Sequence, residues 1–238
     1  MQVQIGASKV PKYATSESGD TLEVIERPQG GVSAVLVDGQ RSGRSAKIIS
    51  NIAARKAVSL LGEGVRDGAA ARATHDYLRT HRRGQVSAEM VIVSADLATR
   101  TLVISRNTHC PAIVCAGGTY REIAAPSEPI GIHRRTKPAI TEIDLLPNSL
   151  VVAYSDGFEA ARRADNSPLD LRGLLTAVCH EQEPAQSIAD WLLHEALARE
   201  DGRPRDDISI LVMSVLSEPP DGGIRRLSVS IPVLPYVT

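Results

Sequence analysis

Residues 32–39 read Val-Ser-Ala-Val-Leu-Val-Asp-Gly. The run Val32 to Val37 is almost wholly apolar and rich in β-branched residues, which specifies a strand buried on both faces. It stops abruptly at Asp38-Gly39. A glycine there lets the backbone turn sharply and leaves the carboxylate and a carbonyl exposed at the strand tip. The same context recurs three times: Gly19-Asp20 before Leu22–Glu26, Asp156-Gly157 after Leu150–Tyr154, and Arg205-Asp206-Asp207 before Ile208–Leu216. A single Asp-Gly after a strand is explained by turn chemistry alone. Four acidic strand tips point instead to a site. If these strands are neighbours, their carboxylates converge, and close carboxylates cannot all ionise without compensation. Donors that are all oxygen select a hard cation, Mg²⁺ or Mn²⁺.

Working outward, Pro28-Gln29-Gly30-Gly31 joins the strands Leu22–Glu26 and Val32–Val37 as a hairpin. Val3–Val10 is a further, mixed strand. Ala46, Ile49, Ala53, Ala57 and Leu60 form the stripe of one helix, which Gly62 and Gly64 end, and a second helix spans Asp67 to Arg82. Strands return at Met90–Ala95, Thr101–Ser105, Ala112–Ala116 and Tyr120–Ile123, the last two flanking Gly117-Gly118. Ile140–Leu145 and Leu150–Tyr154 flank Pro147-Asn148 and extend the run of hairpins. Helices are expected over Leu169–Cys179 and from Pro184, through Ile188, Trp191, Leu192 and Ala196, to a stop before Gly202. The buried strand Ile208–Leu216 closes the order.

Hairpins imply antiparallel sheets, and helices grouped between sheet blocks imply a layered α+β fold. Residues 1–216 read as one domain. Residues 217–238 form an extension whose Leu227–Leu234 stretch would add an edge strand or dock elsewhere, with Asp221-Gly222 as a turn.

The 238 residues carry 27 Lys and Arg against 28 Asp and Glu, so no global positive field exists to hold nucleic acid or an anionic membrane. Ile208–Leu216, the longest strongly apolar run, is far too short to span a bilayer, and the first residues lack the pattern of a signal peptide. A cytoplasmic protein is expected. Cys110, Cys115 and Cys179 include no C-x-x-C pair and are expected as separate, buried, non-catalytic thiols in a reducing compartment.

The series Ser16–Asp20, Val37–Ala46, Pro129–Gly131, Tyr154–Glu159 and Arg205–Val212 resembles the metal-dependent protein serine/threonine phosphatases. It is most similar to their SpoIIE-like branch and, within that, to the small single-domain RsbX type. The resemblance implies two antiparallel β-sheets packed as a sandwich with helices on both outer faces. It implies that Asp38 bridges two Mn²⁺ or Mg²⁺ ions, that the Gly39 carbonyl and Asp156 each bind one of them, and that Asp206 is a ligand. Asp207 would lie outside the ligand set, and Asp20 would act near the second metal through water. A water shared by the two ions would then attack phosphorus without a phosphoenzyme.

The sequence departs from the family's pattern where Arg41 replaces a usual glycine and where no histidine lies near that loop. Arg41 and Arg44 are candidates for holding phosphate, and equally for solvated charges at a helix start. Asn107-Thr108-His109-Cys110-Pro111 reads as a structural turn. The implied function is dephosphorylation of a phosphoserine or phosphothreonine protein, a STAS-type regulator in a bacterial stress or sigma-factor switch. The alternative is a pseudophosphatase that binds a partner.

Overall fold

In the computed structural model, which describes residues 1–162, 167, 169–179, 183–217 and 223–232, the run at 32–39 lies inside a five-stranded antiparallel sheet. That sheet orders β2 (Thr21–Glu26), β3 (Gly31–Gly39), β4 (Ala88–Asp96), β5 (Thr101–Asn107) and β8 (Ala139–Asp144). A second sheet orders β1 (Gln2–Val10), β10 (Ile208–Leu216), β9 (Ser149–Tyr154), β6 (Ala112–Ala116) and β7 (Thr119–Ile123). The helices are α1 (Gly43–Gly62), α2 (Asp67–His81), α3 (Asp156–Ala160), α4 (Leu171–Val178) and α5 (Ala185–Arg199).

The twofold periodicity of a strand divides each apolar run between two cores. In β3, Ala34 and Leu36 pack between the sheets with Val91, Val93, Val151, Leu211 and Met213. Val35 and Val37 face the other way, against Ile49, Ala53 and Ala57 of α1 and Leu78 of α2. β10 divides likewise: Leu211, Met213 and Val215 join the inter-sheet core, and Ile208, Ile210 and Val212 meet Ile188, Ala189 and Leu192 of α5. The result is a four-layer α+β sandwich, helices outside and two sheets within. Covering by helices is why these strands of an antiparallel sheet read as unbroken apolar runs.

Several expectations change. β8 and β9 are not a hairpin: β8 pairs with β5 in one sheet, and β9 lies between β10 and β6 in the other. The Pro147-Asn148 turn, with Asn148 at φ +62°, carries the chain across the sandwich. Exposure along the two strands reflects this, since β8 alternates between half-buried and exposed while β9 is buried throughout. The helix expected from Leu169 begins at Leu171, where the Asp170 side chain accepts from the Gly173 N–H as its cap.

Cys115 and Cys179 are joined in a disulfide, their Cα atoms 5.2 Å apart, and are not separate thiols. The fold sets the end of α4 against β6, bringing together residues 64 apart in sequence. Cys110 is free and buried. Residues 227–232 are exposed and form no strand, and Arg225 pairs with Glu26 at 2.7 Å. The expected turn at Asp221-Gly222 and the end of the Leu227–Leu234 stretch lie outside the described residues. Among the described residues no helix is long and apolar enough to cross a membrane.

Candidate active site

Strand pairing gathers the acidic tips at one end of the sandwich. In the β3–β4 ladder Asp38 stands directly opposite Glu89, and Thr21 pairs with Val37, which sets Asp20 beside Asp38. In the β10–β9 ladder Ile210 pairs with Tyr154, so Asp156 and Asp206 leave neighbouring strands at the same end. Asp38, Gly39, Glu89, Asp156 and Asp206 line one cavity of about 310 Å³, together with Lys12 and Arg41. Like charges directly opposite in a ladder are destabilising, so a protein with only structural demands on this end would not place Glu89 against Asp38.

The two Asp-Gly glycines serve packing as well as turning. A Cβ on Gly39 would stand 2.1 Å from the Ala46 carbonyl oxygen, and one on Gly157 would stand 2.2 Å from that of Asp207. Neither position admits a side chain without moving the α1 start away from β3 or α3 away from the approach to β10.

Protonation reports the crowding. Burial, followed by Asp20, Asp156, Glu89 and Asp206, pushes the Asp38 carboxyl up to about 10. Burial raises Asp20 to about 6, although the Ser209 hydroxyl donates to its Oδ2 at 2.6 Å and offsets part of the shift. Burial and Asp156 also raise Asp206. Asp20 is fully buried, does not line the cavity, and its Oδ1 has no hydrogen-bond partner among the described residues. Behind it, Lys9 and Lys47 both donate to its backbone carbonyl, at 3.0 and 2.6 Å. Raised carboxyls, an orphaned buried oxygen and an all-oxygen donor set fit a hard divalent cation.

Asp207 has a different environment from Asp206. It is buried, and its two oxygens accept the backbone N–H groups of Lys12 and Gly19, each at 2.9 Å. It ties the 12–19 loop to the start of β10. Of the two arginines, Arg41 lines the cavity and Arg44 does not. Arg41 sits at φ +74°, a left-handed conformation that explains why a glycine suits this position.

Two residues of the cavity went unread in the sequence, Glu89 and Lys12, and His109 was read only as part of the structural turn Asn107–Pro111. Glu89 stands near the start of an apolar strand, as Asp20 and Asp206 do, but without the neighbouring Gly or Asp that marked them. Lys12 carries no local signal. His109 pairs through Nδ1 with Glu89, and this contact raises its proton affinity against the opposing effect of burial. The Cys110 thiol is held protonated by burial, with Glu89 and Glu159 adding to the effect, and is no nucleophile.

This sandwich with an acidic cavity at one end defines the class of the PP2C-type protein serine/threonine phosphatases, and solved structures bear out the fold. The phosphatase domain of the cell fate determinant SpoIIE from Bacillus subtilis, solved with a fragment of its regulatory domain, superposes with a TM-score of 0.75 at 20% identity. The match covers 90% of this chain and 64% of that one. The RsbU and RsbW domains of a Mycobacterium tuberculosis protein match at 0.75 and 18%, over 92% of this chain and 61% of that one. The catalytic domain of the serine/threonine phosphatase PstP, in complex with two manganese ions, matches at 0.68 and 13%, over 90% and 99%. Comparison with curated proteins finds no significant match. The family model for Stage II sporulation protein E (SpoIIE) matches residues 28–216, and the chain belongs to that family of phosphatases.

Proposed function

We propose that the chain is a metal-dependent phosphoserine/phosphothreonine protein phosphatase. The observation that carries this reading is the convergence of Asp38, Glu89, Asp156 and Asp206 on one cavity, with the orphaned Oδ1 of Asp20 beside Asp38. Two Mn²⁺ or Mg²⁺ ions would be held by Asp38, the Gly39 carbonyl, Asp156 and Asp206, with Asp20 supporting them from behind. When bound, such ions supply an acidified water and positive charge for phosphate oxygens. The chain's own residues do the rest. Asp38, between Asp20 and Glu89, concentrates negative charge where the cations sit. Arg41 offers a planar fork of donors to phosphate oxygens at the mouth, and Lys12 adds a point charge on the cavity wall. No side-chain nucleophile is required.

For the substrate we propose a phosphorylated STAS-type regulator in a cytoplasmic stress or sigma-factor switch. In support, one structural relative carries an RsbU domain with an RsbW domain. Another belongs to the bacterial stressosome, described as a modular system adapted to control secondary messenger signalling. The test is phosphate release from a phosphoserine STAS-domain protein and from a phosphotyrosine peptide, each with Mn²⁺ and with excess chelator. Mn²⁺-dependent release from the phosphoserine protein alone is expected. Release that survives chelation overturns the metal reading, and no release from any phosphoserine or phosphothreonine protein favours the partner-binding pseudophosphatase.

A further inference from the structure

We propose that Glu89, His109 and Cys110 form a second metal site, for a thiophilic divalent cation such as Zn²⁺, and that filling it lowers turnover. One ligand atom from each residue can be chosen so that all lie within 4.8 Å of one another. The turn that carries two of them is held rigidly. Buried Arg106 donates to the Cys110 carbonyl at 2.8 and 3.1 Å, to the Thr108 carbonyl at 3.1 Å and to the Ala125 carbonyl at 3.2 Å. The Cys110 N–H donates to the Thr108 hydroxyl at 3.0 Å, and that hydroxyl donates to Glu89. Cys110 Sγ is thereby set 3.9 Å from His109 Nε2.

Zn–N and Zn–S lengths of about 2.0 and 2.3 Å put two tetrahedral ligands about 3.5 Å apart. To share one ion, the His109 ring, whose side chain is 61% exposed, must release its Nδ1 contact with Glu89 and turn, which frees a Glu89 oxygen to join Nε2 and Sγ. Thiolate, imidazole and carboxylate together select Zn²⁺ over Mg²⁺ or Mn²⁺, whereas the all-oxygen aspartate cluster selects the reverse. Three protein ligands leave a fourth position, reached from solvent on the His109 side. On binding, the thiol, and the imidazole where it is protonated, give up their protons to solvent, and the metal takes the thiolate and the neutral imidazole.

Glu89 couples the two sites because it lines the cavity and stands opposite Asp38. A cation on Glu89 removes a carboxylate from the field that attracts the first site's ions and adds positive charge beside them. The metal site stands without the phosphatase reading; its effect on turnover rests on it.

Co²⁺ is the probe, added to the full chain in excess Mg²⁺, which occupies the all-oxygen cluster. A thiolate-to-cobalt charge-transfer band in the near ultraviolet is expected in the wild type. It should be lost in Cys110→Ala, weakened in His109→Gln, and bleached by Zn²⁺. Circular dichroism checks the buried Cys110→Ala, and His109→Gln, at the surface, keeps the test independent of the core. In parallel, Zn²⁺ should inhibit Mn²⁺-supported dephosphorylation, and each variant should need at least about tenfold more Zn²⁺ for the same fractional inhibition. No band in the wild type overturns the site. Equal zinc sensitivity in wild type and Cys110→Ala overturns the regulatory half, since Zn²⁺ then acts at the aspartates. A band without turnover under any metal fails the phosphatase reading and the regulatory half but keeps the site.

Discussion

Asp38 gains its role from its neighbours, and that gives the metal-free protein a pH signature. Its carboxyl and that of Asp20 hold protons in the folded chain, up to about 10 and about 6, that the unfolded chain releases near 3.8. Above that lower value the folded state binds more protons, so stability falls as pH rises. His75 acts oppositely: burial lowers its proton affinity while its Nδ1 accepts the Gly131 N–H, so it costs stability as pH falls below about 6.5. Between about pH 7 and about pH 9, above the His75 range, Asp38 is opposed by Lys47, which burial lowers to about 8 so that it gains stability as pH rises, and is joined by His109, whose proton affinity is raised. Comparison with Asp38→Asn isolates the aspartate: between the two pH values the metal-free wild type should lose more melting temperature than Asp38→Asn, and saturating Mn²⁺ should remove that excess. Arg41→Gly relieves a left-handed backbone worth about 1 kcal/mol and removes a donor from the cavity mouth. Its melting temperature should hold or rise while KM for a phosphoprotein increases severalfold with kcat little changed; steady-state kinetics and a melt check both. Asp207→Asn places an amide against the backbone donors of Lys12 and Gly19 and should cost about 1–3 kcal/mol in denaturant unfolding. Turnover per folded molecule should stay within a few-fold, whereas Asp206→Asn loses it. The reverse result would place the ligand at 207.

Elements were legible where one physical pattern dominated. The alanine-rich stripe from Ala46 predicts α1, and the Gly-rich turns predict the β2–β3 and β6–β7 hairpins. α3 was missed because five residues hold too little of a 3.6 period to register. The β8–β9 partnership was misread because a Pro-Asn turn gives no sign of whether the next strand returns to the same sheet. What fixes elements to one another is less visible still. Arg27, buried in the β2–β3 turn, pairs with Asp67 at the start of α2 at 2.7 Å and donates to the Val65 carbonyl at 2.8 Å. Ser94 of β4 donates to the other Asp67 oxygen. Asp67→Ala leaves a buried guanidinium uncompensated and should cost about 3–5 kcal/mol, measured by denaturant unfolding. A loss under about 1 kcal/mol would mean that water reaches this corner.

At the scale of the whole molecule, the α+β layering was legible in the order of hairpins and grouped helices, and the acidic end in the apolar runs that stop at Asp beside Gly or Asp. The disulfide between Cys115 and Cys179, and the approach of His109 to Glu89, depend on contacts across 64 and 20 residues that no local pattern encodes. Among the described residues the sandwich is held by three apolar cores, and the crowded carboxylates work against it. The central claim is therefore that Asp38 organises a divalent-cation site on which turnover depends. Calorimetric titration of Mn²⁺ into the metal-free wild type and into Asp38→Asn tests it most directly. The wild type should bind and gain melting temperature, while Asp38→Asn should lose most of that affinity and melt, without metal, at or above the wild type. Equal Mn²⁺ affinity in the two proteins would contradict the account.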